Sequence, residues 1–112
     1  MIRVVNVKKD MPNVDYAIYL CDKEIEYAKI MKDKVIIVIH GYGSNGVGGL
    51  IKEGLQNHLQ QLKRHKVILD FVPGEKWADT NPAKELICSI CPDIILNSNL
   101  QGLNSGVSVI LV

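Results

Sequence analysis

The reading of this chain turns on Val35-Ile36-Ile37-Val38-Ile39-His40-Gly41-Tyr42-Gly43-Ser44-Asn45-Gly46-Val47-Gly48-Gly49-Leu50-Ile51-Lys52. Residues 35–39 are apolar without a break, which predicts a strand covered on both faces. The run ends at His40 and a glycine-rich loop, and an amphipathic helix follows. Glycine has no Cβ to hold a ligand off, so a loop of this kind lets backbone N–H groups approach a phosphate. The unpaired N–H groups of the next helix's first turn point the same way. A histidine at the strand end adds a group that donates a hydrogen bond or moves a proton near neutral pH. The expected site lies beside His40, with its ring and the loop amides facing one solvent-accessible cleft.

Outward from this stretch the chain alternates strand and helix. Residues 2–7 are rich in β-branched side chains and read as a strand. Lys8 to Pro12 read as a loop, and Asn13 as the N-cap of a helix with Asp15 in its first turn. Val14, Ala17, Ile18, Cys21, Ile25 and Ala28 then repeat at helical spacing. The second helix spans about Val47 to Arg64, with Ile51, Leu55, His58, Leu59 and Leu62 as its inner stripe. A third strand covers 67–72 and stops at Pro73-Gly74. Asn81-Pro82 opens a short helix that runs to Cys91 before Pro92. Residues 97–106 are polar and contain glycine, a loop, and 107–112 form the last strand. The order β-α-β-α-β-(α)-β predicts an α/β fold. It is a two-layer sandwich with a mixed four-stranded sheet and two main helices, its first three strands parallel. No linker or repeat interrupts it, so residues 1–112 are expected to form one domain, complete at its last strand.

Composition narrows the function. The chain has 112 residues, 47% of them hydrophobic, which suits one modest core. Its formal net charge of +1 provides no overall basic field, so any nucleic-acid contact must come from local clusters. No run approaches the roughly 20 apolar residues of a membrane span. The first ten residues show no signal-peptide core. These features predict a cytoplasmic protein without a membrane partner, whose three cysteines are reduced thiols.

Several motifs have competing readings. Gly41-x-Gly43-x-x-Gly46 matches the dinucleotide fingerprint, with Asp70 placed as a ribose ligand. The chain is short for two mononucleotide-binding halves, and Gly48-Gly49 lengthens the loop beyond that tight turn. A Walker loop fails because Gly49 stands where lysine must follow Gly48. Lys8, Lys9 and Lys52 are candidate phosphate contacts, since parallel strands bring their carboxyl ends to one sheet edge. The bland alternative is that Lys8 and Lys9 are solvated loop residues. Lys63, Arg64, His65 and Lys66 complement the dipole at the second helix's far end. Cys88-x-x-Cys91 has no partner pair for a zinc site and reads as buried helix cysteines. Cys21 and His58 read as core residues, and Trp77 as closing its loop over the sheet edge.

Ile39-His40-Gly41-Tyr42-Gly43 and Gly49-Leu50-Ile51-Lys52 together resemble the HGxG…G-x-[LI]-[RK] signature of Smr (small MutS-related) domains. Asp70-Phe71-Val72-Pro73-Gly74-Glu75 resembles the third-strand exit of one Smr subgroup. Cys91-Pro92-Asp93 and Asn104-Ser105-Gly106-Val107-Ser108-Val109 resemble its closing loop and last strand. The resemblance implies a core like the C-terminal domain of a bacterial translation initiation factor. It also implies nucleic-acid binding, to DNA or RNA, and in several members nicking or RNA-cleaving endonuclease activity. On that basis His40 is the catalytic candidate, while Lys8, Lys9, Gly41, Tyr42, Gly43, Ser44, Gly49 and Lys52 are the phosphate-binding candidates. One departure matters. Many Smr domains carry L-D-x-H-G after the first strand, where this chain has Val5-Asn6-Val7-Lys8-Lys9. The missing carboxylate and histidine leave a candidate base or metal ligand unfilled, so binding is expected to outlast cleavage. A divalent metal is compatible with such chemistry, but no ligand set names one. The competing function is a nucleotide or other small phosphorylated-ligand module on loop 41–49, with Asp70 pointing into an enclosed pocket.

Overall fold

The computed structural model describes residues 2–9, 13–41 and 47–112, and of Val47 and Gly48 only the helical backbone. Four strands, β1 (Ile2–Asn6), β2 (Val35–Ile39), β3 (Asp70–Pro73) and β4 (Val107–Leu111), form one sheet in the order β1-β2-β4-β3. β1 and β2 are parallel, and β4 is antiparallel to both β2 and β3. The first three strands therefore point the same way, as expected, with β4 inserted between β2 and β3. β3 is displaced from the predicted 67–72. The N–H groups of Val67 and Ile68 fold back onto Leu62 O, at 2.8 and 3.5 Å, and finish the preceding helix instead.

Two long helices, α1 (Val14–Met31) and α2 (Val47–Arg64), cover one face. α1 starts where Asn13 Oδ1 accepts the Tyr16 N–H at 2.8 Å, satisfying a first-turn donor that has no partner inside the helix. It ends at Lys32, which takes a left-handed conformation (φ 61°). Ala17, Cys21, Ile25 and Ala28 of α1 and Ile51, Leu55 and Leu59 of α2 join Ile36, Val38 and Ile110 of the sheet in one core cluster. At the helix crossing a Cβ on Gly54 would lie 2.4 Å from Val14 Cγ1, so the glycine permits this approach.

The short helix α3 (Pro82–Ile90) and the 3₁₀ turns Pro92–Leu96 and Ser98–Leu100 lie on the other face. Their Ile87, Ile94 and Leu100 pack with Trp77 against Val35, Ile37, Val72 and Val109. The sandwich of sheet and long helices thus has a thinner third layer, which explains why Val35 to Val38 are buried at every position. Alternate residues of one strand serve two cores. Asn81 caps α3 by accepting from Ala83 N and Lys84 N, with Pro82 in the first turn. Trp77 is buried beneath the Lys84 ammonium, 5.5 Å above its ring, so it closes the loop as expected.

Candidate nucleic-acid interface

Strand directions decide which residues can meet. β1, β2 and β3 end at the same sheet edge, where antiparallel β4 begins. Lys8, His40 and Glu75 follow the three strand ends, Gly106 precedes β4, and α2 starts from that edge too. Local bonds fix the turns. Val7 N extends the β1 ladder to Ile39 O at 3.0 Å. Asn6 Oδ1 then accepts from both Lys8 N and Lys9 N at 3.0 Å, an Asx turn that ends the strand. His40 N and Gly41 N both donate to Gly106 O, at 2.9 and 3.0 Å. Gly41 has φ +75°, a conformation that favours glycine, and Lys8 Cδ lies 3.2 Å from where its Cβ would be. The stem of Lys8 therefore passes over the His40–Gly41 turn.

His40 itself departs from expectation. It is 0% exposed, so its ring does not face an accessible cleft. Nδ1 lies 2.7 Å from Gly41 O, and Nε2 lies 2.9 Å from Ser108 Oγ. A carbonyl only accepts, so Nδ1 carries the proton. In the neutral ring Nε2 then accepts from the Ser108 hydroxyl. Burial lowers the imidazole pKa below its ordinary value, and nearby Lys52 lowers it further. The Gly41 carbonyl and the Glu75 charge pull the other way without overcoming the loss of solvent. At neutral pH His40 is an uncharged residue that ties β2, the glycine turn and β4 together.

Lys52 stands beside this turn but is not a bare cation. Its Nζ is ion-paired with Glu75 Oε2. Gly74 makes that possible, because a Cβ there would lie 1.8 Å from Asn104 O and would force the β3 exit away from the loop before β4. Glu75 Oε1 is buried without a hydrogen-bond partner among the described residues, as is Nε2 of Gln56, one turn along α2 from Lys52. Glu75 and Ser108 are functional candidates absent from the sequence-derived set. Glu75 follows a strand end just as Lys8 and His40 do, so its place at this edge was legible in the sequence. Ser108 required the pairing of Val38 with Ser108 across β2 and β4.

The other candidates divide clearly. Lys8 and Lys9 are exposed, and Gly49 is half-buried on the first turns of α2. Tyr42, Gly43 and Ser44 lie outside the described residues. Asp70 starts β3 rather than ending it, level with Val35 and Leu111, at the edge opposite His40. It pairs with Lys63 at 3.0 Å and lines an open groove of about 350 Å³ with Lys76 and Asn81. Asp70 therefore lies at the opposite sheet edge from Gly41 and the start of α2, away from where the nucleotide-binding reading needs it. His58 is hydrogen-bonded, with Nε2 2.7 Å from Asp22 Oδ1 of α1, but it is half-buried at the helix–helix contact rather than in the core. Cys21 is buried, and loss of solvent pushes its thiol pKa up to about 12. Cys88 and Cys91 are half-buried free thiols against the α3 core rather than fully buried.

The same architecture occurs in the Smr domain of Thermus thermophilus MutS2. Its crystal structure superposes on 97% of this chain and 95% of its own with a TM-score of 0.57, at 18% sequence identity. The chain has the Smr fold. No protein-family model and no curated protein matches it. His40-Gly41 follows directly on the end of the second strand, as the sequence reading placed it. Among the described residues no helix is long and apolar enough to cross a membrane.

Proposed function

We propose that residues 1–112 form a single cytoplasmic nucleic-acid-binding domain of Smr type, with at most weak nicking endonuclease activity. The observation that supports binding is the convergence of Lys8 and Lys52 on the stapled His40–Gly41 turn at the sheet edge where α2 begins. Lys8, Lys9 and Lys52 would meet phosphates as point charges, with the backbone of loop 41–49, including Tyr42, Gly43, Ser44 and Gly49, completing the anion site. The placement of Asp70 at the opposite edge from that loop makes the nucleotide-binding reading the weaker one.

His40 is proposed as the residue on which any cleavage depends. For proton transfer, Nε2 would have to exchange the Ser108 hydroxyl for a water or phosphate oxygen. A buried, hydrogen-bonded imidazole resists that exchange, consistent with slow or absent turnover. The test is fluorescence anisotropy and gel nicking on labelled branched DNA, single strands and RNA, with and without divalent metal. Binding that weakens as salt rises is expected, because phosphate contacts release counterions. No binding to any of these substrates at low salt would overturn the reading.

A further inference from the structure

β1 is a terminal strand of the sheet, paired with β2 alone. Its outer backbone edge has no strand partner among the described residues. Such an edge templates pairing with another chain unless proline, charge or cover blunts it. Ile2-Arg3-Val4-Val5-Asn6 contains no proline and one charge. That charge is paired within the chain, since the Arg3 guanidinium meets Glu24 of α1 at 2.6 Å and Asp33 at 3.0 Å. Val5 packs on the core beneath α1 and α2 and Ile2 on the opposite core. Val4 shares the Ile2 face and is 48% exposed.

Above this edge α1 carries an apolar flank. Tyr16, Tyr27 and Met31 are 53%, 53% and 64% exposed, and half-buried Leu20 lies among them. At 100° per residue all four fall within about 80° of Glu24, the α1 residue that reaches β1. Asp22, bonded to His58 of α2, is on the other side of the helix. The apolar flank and the open strand edge therefore face the same direction.

We infer that the chain forms a two-fold dimer in which β1 pairs antiparallel with β1 of a second copy, centred on Val4. This register sets Val4 opposite Val4, Ile2 opposite Asn6, and Arg3 opposite Val5, so the two arginines do not oppose each other. A two-fold axis perpendicular to the sheet keeps both α1 helices on one face and runs them antiparallel. With strands about 4.8 Å apart, two helices each seated near β1 and β2 lie about 10 Å apart, at helix-packing distance. Tyr16, Leu20, Tyr27 and Met31 then meet their counterparts. An 18-residue helix is about 27 Å long, and one helix layer with one sheet is about 20 Å deep. The two copies would bury about 1,000 Å² in total, the lower bound for a specific interface, which predicts a reversible dimer. The His40 edges point in opposite directions and stay open, so each copy keeps its own nucleic-acid face.

Sedimentation equilibrium of the 112-residue chain from low to high micromolar concentration tests this. The mass should rise from one chain to two. Val4→Lys, which sets like charges against each other at the centre, and Tyr27→Asp should each weaken association at least tenfold while circular dichroism stays native. Mixing Val4→Lys with Val4→Glu should restore a heterodimer, a result that a misfolded variant cannot produce. A single-chain mass at all wild-type concentrations would overturn the dimer. So would a dimer indifferent to both substitutions, or Tyr16 and Tyr27 of a monomeric chain cross-linking to added single-stranded nucleic acid.

Discussion

Ser108 Oγ and His40 Nε2 lie 2.9 Å apart across 68 residues of sequence, and both residues are 0% exposed. The bond fastens the start of β4 to the end of β2 immediately below the glycine turn. Removing one partner of a buried bond leaves the other unsatisfied, at about 1–3 kcal/mol. Ser108→Ala should lose that much stability in urea unfolding at pH 7. A change below about 0.5 kcal/mol would show that the turn does not depend on this bond.

The depressed pKa of His40 has a definite sign in stability. Its folded value lies below its ordinary 6.5, so between the two values the unfolded chain binds the proton and the folded chain does not. This contribution is complete above about pH 6.5 and is lost as pH falls toward the folded value. The slope is at most about 1.4 kcal/mol per pH unit. Stability curves from pH 7.5 to 5 should show this decline in the wild type, and His40→Gln should flatten it. Nitrogen-15 spectra at pH 7 should find the proton on Nδ1, and an Nε2–H tautomer would contradict the Gly41 bond.

Lys52 can contact phosphate only in competition with Glu75. Glu75→Gln removes the competing charge and should tighten duplex binding severalfold at low salt. The slope of log affinity against log salt should steepen by about 0.9 for each further phosphate that the freed lysine neutralises. Replacing Lys8, Lys9 and Lys52 together by alanine should flatten the slope without unfolding the chain. An unchanged slope would move the binding face to Lys63, Arg64 and Lys66 at the opposite edge.

Cleavage should respond to the missing motif. An aspartate at position 6 can still accept the Lys8 and Lys9 N–H groups that Asn6 Oδ1 accepts now. Asn6→Asp with Lys8→His therefore supplies a carboxylate and an imidazole without undoing the turn, and nicking should rise. His40→Ala should abolish whatever nicking the wild type shows while leaving much of the binding. Robust wild-type turnover unaffected by His40→Ala would place the chemistry elsewhere.

Gly74 should not tolerate a side chain. A Cβ at 1.8 Å from a backbone oxygen forces the β3 exit to move, and overpacking of this kind costs about 1–3 kcal/mol or more. Gly74→Ala should lower the melting temperature and also weaken the Lys52–Glu75 pair, whose loss would appear as a changed salt slope. Unaltered stability would mean that this crossing is looser than its geometry.

The elements themselves are written locally in the chain. Asn13 and Asn81 announce two helix starts through side-chain oxygens that satisfy first-turn N–H groups. The spacing of Ala17, Cys21, Ile25 and Ala28 marks a buried helical face, and the unbroken apolar run at 35–39 marks a strand covered twice. These signals depend on 3.6-residue and 2-residue periods and on capping chemistry, all of which act within a few residues. The common direction of the first three strands was legible as well, and with it the meeting of Lys8, His40 and Lys52 at one edge. The insertion of β4 between β2 and β3 was not, because strand order depends on contacts between residues far apart in the chain. That insertion brings Ser108 under His40 and closes the ring away from solvent, turning an expected open catalytic group into a neutral tie. Asp70 is held away from the glycine loop for a different reason: Val67 and Ile68 finish α2, so β3 begins only at Asp70, at the far edge, while the close crossing at Gly74 delivers Glu75 to Lys52.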